Sequence, residues 1–171
     1  MQIASVAVAV AAARVQYAGE INYFLSGAAM SVAGMIESNL ISGMTPGDAE
    51  RAYLEYLHGA RELLGDKMIL DGSHKSDFGV FNEKLDLPAA LTSTGQQKSV
   101  LIDMIMAHAR LVYEKTGRRP IILLDEAAAH LDPDARHRMF RAFAAARAQV
   151  WATGLDANAF SDVNDAAFVA C

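Results

Sequence analysis

The sequence predicts an α/β fold preceded by an all-helical portion, and three observations lead to this prediction. Residues 1–65 combine many alanines with bulky side chains at helical spacing. From residue 67 onward, short apolar runs alternate with helical stretches, as in a layered α/β core. The apolar run Ile121–Leu124 ends directly in two acids, which is the pattern of a buried strand. We therefore expect two portions, residues 1–66 and residues 67–171.

The first portion is predicted to be helical throughout. Tyr17 and Ile21 lie one helical turn apart in a segment without proline. A second helix is expected after the turn at residues 42–46, because Thr45 is suited to cap a helix and Pro46 fits its first position. This helix is predicted to end near Gly65.

The second portion is predicted to contain strands and two helices. Asp132 is expected to cap the second of these helices, with Pro133 at its first position. Trp151 is expected to lie in the core. The predicted strands are residues 67–70, 78–81, 121–124, 149–153 and 167–171, and the longer helix runs from about Gln96 to Glu114.

Composition excludes several classes of protein. With 53% hydrophobic residues in 171, the chain is not disordered or of low complexity. Its net charge of −5 indicates no basic surface for nucleic acid, and its single cysteine, Cys171, excludes an intrachain disulfide. The apolar run at residues 3–13 is too short to span a bilayer and has no basic residue before it. We expect a cytoplasmic protein without a membrane partner.

Asp125 and Glu126 follow the predicted buried strand, and such positions lie at the edge of a sheet where ligands of open α/β folds bind. A carboxylate at Asp125 is suited to hold Mg²⁺, which prefers oxygen ligands. Glu126 is suited to orient and deprotonate a water that attacks a phosphate. The alternative is that two acids simply end a strand and face solvent.

A second candidate site precedes the longer helix, at residues 93–99. A turn of small residues that opens a helix presents free backbone N–H groups to an anion such as phosphate. The hydroxyls of Ser93 and Thr94 could add hydrogen bonds. Taken by itself, the same pattern describes an ordinary helix start.

Several motifs, in this order, resemble those of ABC-type ATPases. Residues 93–97 resemble the signature motif, residues 121–126 the Walker B strand with its catalytic glutamate, and residues 129–132 the D-loop. The double glutamine, together with residues 72–77, is similar to the RecF family, whose heads are related to SMC proteins. The resemblance covers about residues 67–156.

The resemblance implies part of an ABC-type ATPase head that binds ATP and Mg²⁺. In this family ATP lies between two heads, and the signature motif of one subunit contacts the nucleotide of the other. Asp125 is then the metal ligand and Glu126 the catalytic base. The implied nucleotide-binding residues are Ser93, Thr94, Gly95, Gln96, Asp132 at the dimer seam, and Thr153 as the candidate γ-phosphate sensor.

The implied function is ATP-dependent DNA binding in replication and recombinational repair. The implied partners are single-stranded or gapped duplex DNA, a second copy of the protein in an ATP-dependent homodimer, and other recombination mediators.

One departure from the family pattern matters, because no G-x-x-x-x-G-K-[ST] phosphate loop occurs in the sequence. We therefore expect the chain to be the C-terminal part of a longer protein and to be inactive as an ATPase by itself. Two alternatives remain: a non-catalytic dimerisation or interaction fragment, and a head segment of another SMC- or ABC-type ATPase.

Overall fold

A computed structural model describes most of the chain. The described residues are 2–64, 70–126, 128–129, 131–146, 148–155, 157–160, 163 and 167–169. The helices are α1 (Gln2–Asn22), α2 (Met35–Ile41), α3 (Pro46–Leu64), α4 (Thr94–Thr116) and α5 (Pro133–Ala145). The strands are β1 (Ala28–Ala33), β2 (Asp77–Asn82), β3 (Leu87–Pro88), β4 (Ile121–Leu124) and β5 (Gln149–Ala152). Short 3₁₀ helices lie at Ala89–Leu91 and Ala157–Phe160.

The strands form two sheets, one with the order β1-β2-β3 and the other with β4 beside β5. The chain divides into two compact units. The first unit comprises Met1–Tyr23 and Ala29–Phe81, and the second comprises Phe24–Ala28 and Asn82–Cys171. The predicted boundary between residues 66 and 67 stays a prediction, since residues 65–69 lie outside the described residues.

The core of the first unit forms where α1, α2 and α3 pack together. Small side chains on one face of α1 allow the other helices to approach it closely, and Ala4 and Ala11 are completely buried. The predicted start of α3 is confirmed, because Pro46 is its first residue and the Thr45 hydroxyl accepts a hydrogen bond from the Asp48 N–H at 3.2 Å. The core residues are Ala4, Ala7, Val8, Ala11, Ile36, Ala49 and Tyr53.

The expectation that this portion is helical throughout is wrong at β1. Buried and exposed residues alternate along this strand. Gly27, with φ of 76°, precedes it, and this left-handed conformation favours glycine. The Asn22 amide at the end of α1 bonds Met30 in both directions, at 2.7 and 2.8 Å. The pairing with β2, which is distant in sequence, and these two hydrogen bonds from the Asn22 side chain thus favour a strand. Neither can be inferred from local helical spacing.

A partly buried ion pair joins the helices of the first unit to the turn at residues 72–77. Glu37, near the start of α2, is completely buried, and its Oε1 lies 3.4 Å from the Arg14 Nη1 of α1. The same Arg14 nitrogen donates to the Ser73 carbonyl at 2.5 Å. Within the described residues, Glu37 Oε2 and Ser76 Oγ are buried without a hydrogen-bond partner. This pair holds the turn against α1 and α2.

The second unit is built from α4, α5 and the parallel pair β4 and β5. The parallel register pairs Ile121 with Gln149 and Leu124 with Ala152. One face of this sheet, with Ile122, Leu124 and Val150, packs on the core. The buried core residues are Ile102, Met106, Ala109, Ile122, Ala128, Met139 and Phe140.

The opposite face of the β4–β5 sheet is apolar and exposed. Ile121 is 65% exposed, Leu123 76% and Trp151 57%. The expectation that Trp151 lies in the core is therefore wrong, because strand alternation places it on the uncovered face. A parallel sheet is ordinarily covered on both faces, so this face is exceptional.

Two predicted strands are not described in full. Residues 67–69 of the first lie outside the described residues, as do Ala170 and Cys171 of the last, while residues 167–169 have no regular secondary structure. Among the described residues, no helix is both long and apolar enough to cross a membrane.

Candidate functional site

The candidate site lies at the carboxyl edge of the β4–β5 sheet. Because the two strands are parallel, their C-terminal residues meet at one edge, and Asp125 and Thr153 follow directly. The Thr153 N–H donates to the Leu124 carbonyl at 2.9 Å, which continues the strand pairing by one residue. The sequence-predicted metal ligand, base and sensor are thereby brought together.

The Thr153 hydroxyl connects both acids of this edge. It donates a hydrogen bond to Asp125 Oδ1 at 2.5 Å and accepts one from the Glu126 N–H at 3.0 Å. Hydrogen bonds to an ionised carboxylate are shorter and stronger than those between neutral groups. Thr153 therefore fixes the Asp125 carboxylate and the backbone of Glu126 at the same time.

Glu126 has an unusual backbone conformation, with φ of 46°. Non-glycine residues rarely adopt this left-handed region, and such residues cluster at functional sites. Its carbonyl accepts from the Ala129 N–H at 3.1 Å and from the Lys98 ammonium. Hydrogen bonds on both sides of Glu126 thus hold a tight turn, and its side chain is exposed to solvent.

The signature-like residues begin α4. Ser93 is the N-cap, and a complete capping box joins it to Gln96: the Ser93 N–H donates to Gln96 Oε1 at 3.0 Å, and the Gln96 N–H donates to Ser93 Oγ at 3.4 Å. Thr94 and Gly95 are the first two residues of the helix, whose N–H groups have no partner within an α-helix. This start is consistent with an anion site, and it is equally consistent with a well-capped helix.

The second glutamine of the motif has a local role. Gln97 Nε2 donates to the carbonyls of Ala90 at 3.1 Å and Thr92 at 2.9 Å, so it holds the chain before α4 in a loop. Asp132 likewise caps α5, because its Oδ1 accepts from the Ala135 N–H at 2.7 Å. Its predicted capping role is confirmed, and its role at a dimer seam stays a prediction.

Lys98 lies within the candidate segment 93–99, but the sequence predicts no separate role for it. Its ammonium donates to the carbonyls of Glu126 and Ala129, the latter at 3.0 Å, and so connects α4 to the turn after β4. Its position directly after the double glutamine was the available signal. No spacing rule predicts which main-chain carbonyls a lysine reaches.

Gly154 allows an aromatic ring to pack beside the site. A Cβ on Gly154 would lie 2.6 Å from the Phe160 ring, closer than real Cβ atoms approach. The Phe160 ring packs on Phe140, with the ring centroids 5.6 Å apart. Glycine after Thr153 thus lets the core reach the backbone of the sheet edge.

Asp103 on α4 is a titratable group of the second unit whose pKa departs from its ordinary value. Desolvation raises its pKa above the ordinary value of 3.8. The positive charges of Lys84, Arg138 and Arg110 oppose this rise without cancelling it.

The potential metal ligands that the described residues bring to this edge are the carboxylates of Asp125 and Glu126. Among the described residues, no group of three or more His, Cys, Asp or Glu side chains could hold a metal ion. The Asp125 carboxylate, oriented by Thr153, fits a Mg²⁺ ion that takes its other ligands from phosphate and water.

Comparison with known proteins identifies relatives of the chain. No protein-family model matches it. The DNA replication and repair protein RecF of Rhizobium etli is 33% identical, over 97% of this chain and 46% of that protein. RecF of Allorhizobium ampelinum is 38% identical, over 82% of this chain and 37% of that protein. RecF of Brucella abortus is 48% identical, over 51% of this chain and 23% of that protein. The chain spans less than half the length of these relatives.

Solved structures show the same fold. A structure of the recombination mediator protein RecF-ATPrS in the RecFOR pathway matches with a TM-score of 0.65 and 15% identity, over 91% of this chain and 43% of that one. A structure of RecF-ATP matches with a TM-score of 0.56 and 18% identity, over 94% and 45%. The predicted α/β class with part of an ABC-type ATPase head is therefore confirmed.

Proposed function

This chain is related to the RecF family of DNA replication and repair proteins over part of their length, and we propose that it forms part of the ATPase head of such a protein. The observation that carries the proposal is the arrangement of Asp125, Glu126 and Thr153 at one sheet edge. It adds a chemical constellation to the sequence relationship.

The proposed roles follow from what each side chain does. Asp125 would hold Mg²⁺, which balances phosphate charge when bound. The exposed Glu126 carboxylate would orient and deprotonate the attacking water. Thr153, whose hydroxyl holds both acids, would fix their geometry and is also the candidate for contact with the γ-phosphate.

The signature residues are proposed to act on nucleotide held by another subunit. The first N–H groups of α4, at Thr94 and Gly95, would face the phosphate together with the Ser93 hydroxyl. Gln96 would keep the start of the helix in place for this binding, because its side chain accepts a hydrogen bond from the Ser93 N–H in the capping box. Asp132 would lie at the seam of the ATP-dependent homodimer.

The exposed sheet face supports the proposal that another segment completes the head. Leu123 and Trp151 are large apolar side chains on a face of the parallel sheet that the described residues leave exposed. We propose that a segment carrying the missing phosphate loop packs here, and that the completed head binds ATP.

The whole protein would bind single-stranded or gapped DNA, act with other recombination mediators and work in the cytoplasm. These roles rest on the relationship to RecF.

The test is reconstitution. ATP turnover is measured for the chain with and without a segment of a RecF relative that carries a Walker A loop. We expect turnover with the segment and its loss in Glu126→Gln, while Glu83→Gln, another exposed glutamate, leaves turnover unchanged. No turnover with the segment would refute the ATPase function, and full turnover in Glu126→Gln would refute the role of the base.

A matched pair of variants tests the sheet face. Leu123→Gln should weaken binding of the segment, measured by calorimetry. Leu155→Gln, at a leucine 94% exposed and outside the strands, should not. If the segment binds but gives no turnover, the alternative of a non-catalytic interaction fragment, which the same exposed face favours, replaces the ATPase proposal.

A further inference from the structure

We propose that Lys98 is the positioning residue of the candidate base, because its ammonium binds the turn that contains Glu126 and holds this turn at the start of α4. The inference rests on the proposed function for the role of Glu126. The geometry of the lysine does not depend on it.

The first observation is the pair of acceptors. Lys98 is half-buried and lies on α4, separate from the turn after β4. Its ammonium donates to the carbonyls of Glu126 and Ala129 in that turn. An ammonium has three donors and no acceptor, so it can bind two carbonyls while the third donor reaches water. A lysine that only solubilised the surface would not direct its charge to two main-chain oxygens of one turn.

The second observation is the conformation that these bonds hold. Glu126 lies in the left-handed region, with its N–H bound by Thr153 and its carbonyl bound by Lys98. Fixing the peptide groups on both sides of a residue fixes the direction in which its side chain leaves the backbone. Without the lysine, one of these two peptide groups loses its charged donor.

The third observation is the position of Lys98 in the first turns of α4. It lies two residues after Gln96, whose side chain completes the cap of α4. A displacement of the helix start therefore moves the ammonium, and with it the Glu126 carbonyl. The signature residues and the base are connected through a single side chain within one unit of the chain.

Amide hydrogen exchange of the chain tests this directly. In Lys98→Met, exchange at the amides of Glu126 and Ala129 should become about tenfold faster, because a charged hydrogen bond is lost. Lys98→Arg should restore slow exchange, since a guanidinium can also donate to two carbonyls. Lys115→Met, at the other end of α4, is the control and should leave both amides unchanged.

Turnover of the reconstituted head separates positioning from general stability. Lys98→Met should lower kcat about tenfold while KM for ATP changes less than about twofold, and Lys98→Arg should recover kcat. Unchanged exchange in Lys98→Met, or faster exchange with unchanged kcat, would overturn the inference. If the unmodified head shows no turnover, the proposed function fails, and the exchange experiment still decides whether Lys98 holds the turn.

Discussion

Gly34 is a position at which a single added methyl group should destabilise the chain. A Cβ on Gly34 would lie 2.2 Å from Glu37 Oε2 and 2.6 Å from Ser76 Oγ. The backbone itself tolerates alanine, because φ of 168° is ordinary extended geometry. The effect of Gly34→Ala must therefore come from packing against the buried carboxylate.

The magnitude follows from what has to move. Glu37 is completely buried, so moving its carboxylate away from the new Cβ displaces packed neighbours or lengthens the 3.4 Å contact between its Oε1 and Arg14. Overpacking a core costs about 1–3 kcal/mol, and fully breaking a buried ion pair about 3–5 kcal/mol. The contact is already long and Arg14 is partly exposed, so we expect a total loss of about 2–5 kcal/mol, a large fraction of ordinary domain stability.

Denaturation in urea, followed by far-UV circular dichroism, measures this loss. Gly19→Ala and Gly59→Ala are the controls, because they lie inside α1 and α3 and an added Cβ meets nothing within 4 Å. Each should stabilise the chain by about 0.5–1 kcal/mol, the ordinary gain of alanine over glycine in a helix. A Gly34→Ala variant within about 0.5 kcal/mol of the original chain would refute the packing argument.

Two further predictions concern the second unit. Thr153→Val removes two hydrogen bonds and should cost about 1–2 kcal/mol in urea denaturation, with faster amide exchange at Glu126. The Thr116 hydroxyl also donates one hydrogen bond and accepts one, so Thr116→Val should cost a similar free energy of unfolding without changing amide exchange at Glu126. Equal rates of Glu126 amide exchange in the two variants would contradict the assigned role of Thr153. Since the folded pKa of Asp103 is raised, the folded state binds more protons than the unfolded state as pH rises above 3.8, and stability falls there. Asp103→Asn should flatten that fall and stabilise the chain at pH 7 in thermal unfolding; an unchanged pH profile would contradict this.

The elements with local signals could be predicted from the sequence. Asp132 before Pro133 marks the start of α5, and the apolar run followed by two acids marks β4, because capping chemistry and burial are written in adjacent residues. Asp125 follows such a local signal, whereas the candidate role of Thr153 comes from the resemblance to ABC-type ATPases. The parallel pairing of β4 with β5 explains why these two residues meet at one edge of the sheet.

The misplaced residues depend on partners that are distant in sequence or outside the chain. Local spacing predicts a helix where β1 forms, because the pairing of β1 with β2 joins residues far apart in the sequence. The sequence places Trp151 in the core because an aromatic residue in a strand is ordinarily covered, whereas the described residues form no layer over this face. The motif pattern also identified Glu126 as a candidate without indicating its left-handed backbone.

The conformation of Glu126 is set within this chain. The bonds that hold its turn come from Thr153 after β5, Lys98 on α4 and Ala129 in the turn itself, all of which belong to the second unit. None of them requires a nucleotide or a completing segment. If the isolated chain fails to hydrolyse ATP, the cause should therefore be the missing phosphate loop and not a misplaced base. We expect slow exchange of the Glu126 amide in the isolated chain, unchanged when the segment with the Walker A loop is added. This result would establish that the turn containing Glu126 is organised before the head is complete.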